Sequence, residues 1–259
     1  MRMKKILFLH GFFASGQCAP AMALREAFEG EAEVITPDLP MHPKEAIAFI
    51  HELIDREKPD VLVGNSCGSF YAQMLAPVLG LPALLGNPHF KMTEFLKPRI
   101  GAHQYKSPRM DGKQDFIIDE QLITEFAEME AHQYDNCTPE SRNRIWGIFG
   151  DNDTLAHFEP LFLEHYDTSF HFPGAHTPTA EEVQKYYVPL IKKLLKKSRS
   201  QLPREPLDSW LRHYPLFPSK KNETLIISKR GRQDGTKIFL VLHSFIRRFI
   251  ANFVASNKI

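Results

Sequence analysis

Three cysteines in 259 residues, Cys18, Cys67 and Cys137, are too few and too far apart for a disulfide framework, and none stands in a Cys-x-x-Cys pair. That excludes a disulfide-stapled scaffold and a paired-cysteine zinc or redox site. It also favours a reducing compartment, so the expected location is cytoplasmic. The chain has no His-Glu-x-x-His and no Gly-x-x-x-x-Gly-Lys, and no metal, nucleotide or other cofactor is expected. Its first apolar run, 6–9, is too short for a signal-peptide core and reads as a strand. The net charge is only +1, no nucleic-acid partner is expected, and no internal repeat is visible.

With 43% hydrophobic and 24% charged residues, the chain has the makeup of a globular protein large enough for one substantial core. The near-neutral total hides an asymmetry. Residues 1–197 hold 20 Lys and Arg against 27 Asp and Glu, whereas 198–259 hold 12 against 4. Two regions are therefore expected: a domain over 1–197 and a basic extension over 198–259. The extension opens on a linker-like Ser-Arg-Ser-Gln-Leu-Pro-Arg-Glu-Pro-Leu and closes on a helical apolar stripe over 238–256. His243, Arg247, Arg248 and Asn252 interrupt that stripe too often for a membrane span. Docking on the domain or on a protein partner is the first reading, and binding to a membrane surface is the alternative.

Within 1–197, apolar runs bounded by turn residues alternate with helical periods, the pattern of a parallel sheet with crossover helices. Strands are predicted at 6–9, 33–36, 61–64, 83–85, 144–149 and 169–172. A crossover helix is predicted over 43–57, with Pro43 at its start and Ile47, Ile50 and Ile54 on one face. A last helix is predicted over 180–197, ending in cations that suit a helix C-terminus. Between the fourth and fifth strands lies a longer irregular stretch, 87–143, with one helix over 121–131; it reads as a modest lid or as packing.

The chemistry gathers at Gly64-Asn65-Ser66-Cys67-Gly68, which follows an apolar strand-like run and precedes a helix-like one. A serine between strand and helix takes a strained turn that needs small residues two places away, and the turn lifts Oγ above the sheet. This is the nucleophile elbow of an α/β-hydrolase, with Ser66 as candidate nucleophile. A serine hydroxyl needs a base within hydrogen-bond reach and an acid to orient that base, and in this fold they follow in the order Ser, acid, His. Gly150-Asp151-Asn152-Asp153 ends a late strand and offers two acids. Asp153 is preferred, because acids in this fold commonly stand three residues after such a glycine; Asp151 remains the alternative, read as a turn or helix-entry residue. The base candidate is His176, in Gly174-Ala175-His176 before the last helix. His171 reads as structural, and His157 and His165 as residues of a helix surface. Oxyanion donors are expected from the backbone N–H groups of Phe12 and Cys67. The side chains of Phe12 and Phe13 are candidates for lining the substrate pocket, and the Cys67 thiol is expected to be buried and inert.

These residues resemble the YqiA/YcfP-like small esterases of the α/β-hydrolase superfamily. The resemblance rests on Leu-Phe-Leu-His10-Gly-Phe, Thr-Pro37-Asp38-Leu-Pro40, Gly64-Asn-Ser-Cys-Gly-Ser69, Gly86-Asn87-Pro88, Gly150-Asp-Asn-Asp153 and Gly174-Ala-His176, and it spans about 1–197. It implies a minimal α/β-hydrolase sheet without a large cap, a Ser66, Asp153, His176 triad, and hydrolysis of esters or thioesters with short acyl chains. Cys67, where leucine or methionine is commoner, and the tail beyond Ser198 depart from the pattern. The expectation is an α/β fold of about six mainly parallel strands in the order 2-1-3-4-5-6, with helices on both faces. The expected partner is a small-molecule ester or thioester, cleaved through an acyl-serine intermediate. A thioesterase or amidase using the same residues, or a non-catalytic interaction protein with this fold, are the rivals; the sequence does not determine the oligomeric state.

Overall fold

A computed structural model describes residues 2–197; the predicted 198–259 extension, its helix and its contacts lie outside the described residues. The main sheet has six strands: β1 (Lys4–Leu9), β2 (Ala32–Ile35), β3 (Val61–Asn65), β4 (Ala83–Gly86), β7 (Ile145–Gly150) and β8 (Thr168–Phe172). Their order is β2-β1-β3-β4-β7-β8, and every neighbouring pair is parallel. Counted along the main sheet, this is the predicted order. Each strand lies within two residues of its predicted bounds.

Why the sheet is parallel follows from its residues. Successive side chains alternate faces, so a strand apolar at every position needs cover on both sides. Leu7, Leu9, Leu62 and Leu85 join one core with α2 (Pro43–Glu57), α3 (Cys67–Leu79) and α5 (Glu120–Glu130). Ile6, Phe8, Val61, Val63 and Leu84 join the opposite core, closed by α1 (Ala19–Ala27) and the final helix over 180–197. The helix α2 starts on Pro43 and stops at Lys58, whose φ of 51° ends the helical path. In the final helix, the five residues Val183–Tyr187 form a π-helical turn.

The stretch read from sequence as irregular contains more order than expected. Here β5 (Gly101–Gln104) and β6 (Asp115–Ile118) form an antiparallel hairpin apart from the main sheet. Strand β5, Gly-Ala-His-Gln, is largely polar, and the apolar run of β6, Phe116 to Ile118, is too short to show alternation. What holds it is aromatic contact: Phe116 meets Phe12, Phe13, His103 and Tyr105, with ring centroids 4.5–5.9 Å apart. The short helix α4 (Met92–Leu96) precedes the hairpin and packs on α5, while α6 (Pro139–Arg142) and α7 (Glu159–His165) flank β7.

Candidate active site

Between β3 and α3 a single residue, Ser66, makes the whole turn, at φ 55° and ψ −119°. A non-glycine residue there carries about 1–3 kcal/mol of strain, held by its surroundings. Ser66 N donates to Gly86 O at 2.9 Å, and Ser66 O accepts from Ser69 N at 3.0 Å and His89 N at 3.3 Å. The flanking glycines are steric necessities. A Cβ on Gly68 would lie 1.9 Å from Leu9 O, and one on Gly64 would lie 2.5 Å from Gly68 O.

The structure brings Ser66, His176 and Asp153 into one hydrogen-bonded row. His176 Nε2 lies 2.8 Å from Ser66 Oγ, and His176 Nδ1 lies 2.8 Å from Asp153 Oδ2. A carboxylate only accepts, so the proton of a neutral His176 sits on Nδ1 and the bare Nε2 faces the serine hydroxyl. Asp153 is 4% exposed. Burial pushes its carboxyl pKa up, but hydrogen bonds from His176, Leu155 N and Ala156 N outweigh that and hold it below the ordinary value.

The other acid and the other histidines go elsewhere. Asp151 is exposed and meets His171 Nδ1 at 2.9 Å, while Glu159 meets His171 Nε2 at 3.0 Å. With acceptors at both ring nitrogens, His171 is a surface clamp between β8, the loop after β7, and α7; burial lowers its pKa, but the two carboxylates raise it on balance. His165 ends α7 stacked on Tyr134, with centroids 3.6 Å apart. His157 departs from the helical expectation and lies in the loop before α7. Pro160 explains the shift, since the helix opens just before it.

The loop after β1 reaches the serine because residue 11 has no side chain: a Cβ on Gly11 would stand 3.4 Å from Ser66 Cβ. Among the described residues, neither Phe12 N–H nor Cys67 N–H has a protein acceptor. Cys67 opens the 13-residue helix α3, so its N–H lies at the positive end of the helix dipole. Its thiol is buried, and burial pushes the pKa up to about 12. His10 braces the same loop. Leu39 N donates to His10 Nε2 at 3.0 Å, leaving Nδ1 to donate to Gly11 O at 2.8 Å, and burial lowers the ring's pKa to about 4. The rings of Phe12 and Phe13 pack against each other at 5.1 Å. Phe12, Leu39, Met41, Cys67 and Tyr71 line a small cavity of about 10 Å³ beside the elbow, about the space of one water.

Asn87 entered the sequence analysis only within the motif Gly86-Asn87-Pro88, with no role in the site. It is fully buried at φ 39°, directly after β4. Its Nδ2 donates to Ala175 O and His176 O, both at 2.9 Å, its Oδ1 accepts from Gly150 N at 2.7 Å, and its own N–H donates to Ile148 O at 2.9 Å. One side chain thus ties the loop of His176 to the strand end that leads to Asp153. The available signal was an asparagine at a strand end, a residue type that tolerates positive φ. Among the described residues, no group of three or more His, Cys, Asp or Glu is arranged to hold a metal ion, and no helix is long and apolar enough to cross a membrane.

The fold is shared with α/β-hydrolases of known structure. A monoacylglycerol lipase from Paleococcus ferrophilus superposes with a TM-score of 0.55 at 13% identity, covering 74% of this chain and 94% of that one. Est1E from Butyrivibrio proteoclasticus matches with a TM-score of 0.54 at 13% identity, over 76% of this chain and 86% of the other. Mouse alpha/beta hydrolase domain-containing protein 10 gives 0.53 at 12% identity, over 76% and 92%. At such identities the likeness speaks for the fold. Closer kinship comes from a family model that matches residues 5–159, from β1 through the elbow to the loop holding Asp153. The chain belongs to the uncharacterised protein family UPF0227, the family of the YqiA/YcfP-like proteins that its motifs resemble.

Proposed function

We propose that the protein is a serine esterase that cleaves small or short-acyl esters through an acyl-serine intermediate. The observation that carries this reading is the row Asp153, His176, Ser66, with both contacts at 2.8 Å, on a serine held at positive φ. In the proposed reaction Ser66 Oγ attacks the ester carbonyl carbon while its proton passes to His176 Nε2. Asp153 keeps the imidazole in the tautomer with Nδ1–H and stabilises the imidazolium. Phe12 N–H and Cys67 N–H donate to the oxygen that becomes negative. The alcohol leaves with the proton from Nε2; water then attacks the acyl-serine by the same route and frees the acid.

The fold's relatives support an ester as substrate, since two are a monoacylglycerol lipase and an enzyme called Est1E. Reaction with a fluorophosphonate probe, and hydrolysis of 4-nitrophenyl acetate and butyrate, test the proposal. Wild type should label and turn over, and Ser66→Ala should do neither. A label retained in Ser66→Ala would overturn the nucleophile.

A further inference from the structure

Among the described residues, the buried side-chain atoms without a partner include His89 Nδ1, on a residue beside the serine. His89 follows Asn87-Pro88 after β4, and its backbone N–H donates to Ser66 O at 3.3 Å. The residue is 4% exposed, and its ring lies between Phe95 and Phe158, with centroids 4.8 and 4.9 Å away. Among the described residues neither ring nitrogen makes a hydrogen bond, and Nδ1 is wholly buried. The backbone contact with Ser66 places the residue beside the proposed reaction centre.

An unpaired buried imidazole nitrogen is destabilising relative to one that is hydrogen-bonded. A phenyl ring would occupy the space between Phe95 and Phe158 without that cost, so packing alone does not account for the ring's polarity. Nor does charge, because burial and the neighbouring His176 lower its pKa to about 4 and keep it neutral. A neutral imidazole offers one N–H and one bare nitrogen. A hydroxyl can serve whichever ring nitrogen it meets, because its one oxygen both donates and accepts; with Nδ1 wholly buried, the nitrogen left for such a contact is Nε2.

We propose that His89 is a specificity-determining residue that hydrogen-bonds a hydroxyl group of the substrate, so that hydroxy-substituted esters are preferred over their unsubstituted counterparts. The proposal rests on the serine-esterase reading above. It adds the chemical class of the substrate: an ester with a hydroxyl a few atoms from the reacting carbonyl, on the acyl or the alcohol side. A site that hydrogen-bonds a hydroxyl discriminates against the analogue lacking it, because its own buried group is then left unpaired.

The test is a selectivity ratio, in which any general damage to the enzyme cancels. For the full chain, kcat/KM is measured on 4-nitrophenyl 3-hydroxybutyrate against 4-nitrophenyl butyrate, and on 2-hydroxyethyl butyrate against ethyl butyrate. Wild type should favour the hydroxylated member of one pair by about five- to tenfold. That ratio should fall to about one in His89→Phe and stay above one in His89→Gln, which retains a donor and an acceptor. A wild-type ratio near one in both pairs overturns the proposal, as does an unchanged ratio in His89→Phe. Should His89→Phe not fold, the wild-type ratios and His89→Gln decide. Fluorophosphonate labelling of the same samples separates the two claims: labelled wild type without hydroxyl selectivity sinks only the role of His89, whereas unlabelled wild type removes the serine-esterase reading and this proposal with it.

Discussion

The side-chain amide of Asn87 donates to the backbone carbonyl of His176 at 2.9 Å, and with its remaining atoms it holds Ala175 O and Gly150 N. The two loops that must meet for Asp153 to touch His176 are therefore joined through a third strand end. Asn87→Ala removes three hydrogen bonds at a fully buried position. Loss of alignment by about 1 Å can reduce turnover about 100-fold. We expect kcat to fall about 10- to 100-fold in Asn87→Ala, with KM changed far less. Steady-state kinetics on one ester check this, and a rise in KM at constant kcat would contradict a positioning role.

Asp151 and Asp153 stand two residues apart and face different histidines. If Asp153 orients the base, Asp153→Asn leaves the geometry but favours the wrong tautomer, an effect of about 10⁴ in kcat where it is best known. Asp151→Asn weakens only an exposed clamp and should stay within about threefold of wild type. Parallel measurement of kcat for the two variants decides, and equal losses would remove the assignment.

Ser66 sits at φ 55°, a conformation that glycine adopts freely. Ser66→Gly should abolish turnover and yet raise the unfolding free energy by about 1 kcal/mol, as strain is relieved. Urea denaturation of the two proteins measures the difference. A destabilised Ser66→Gly would mean that the turn is not under strain.

Gly68 has no room for a methyl group, since a Cβ there would meet the backbone oxygen of Leu9 at 1.9 Å. Backbone cannot yield as a flexible side chain does. Gly68→Ala should lose more than about 3 kcal/mol or fail to fold. Gly30, at φ 74° with nothing near its missing side chain, should lose only about 1 kcal/mol when changed to Ala, from backbone strain alone. Thermal melts of both variants check the contrast.

Stability should fall on acidification above the carboxylate range. Burial lowers the pKa of both His10 and His89 to about 4, against an ordinary value of 6.5. Between pH 6.5 and 4 the unfolded chain binds protons that the folded protein refuses, so stability drops as the pH falls through that window and is fully present above it. At pH 5 each histidine accounts for a loss of about 2 kcal/mol. Urea unfolding at pH 7.5 and 5.0 should show the drop, and His89→Phe should reduce it. The same pH dependence in wild type and variant would remove His89 from this account.

Much of this molecule was legible before any coordinate. Six apolar runs bounded by turn residues marked the six strands of the main sheet, because side-chain periodicity and turn chemistry are local properties. The elbow at Ser66 was legible for the same reason: small residues at 64 and 68 are a local steric need, and the late loops with Asp153 and His176 each follow their own strand. Tertiary structure alone decided the rest. Spacing after Gly150 favoured Asp153, but which of the two aspartates meets His176 depends on how the loop after β7 turns against β8, and that turn is not a local property. The hairpin over 101–118 exists through contacts of Phe116 with Phe12 and Phe13, about 100 residues away in sequence. Asn87 and His89 gain their meaning from partners across the sheet or from lacking one, and hydrogen bonds between distant segments leave no trace in local periodicity.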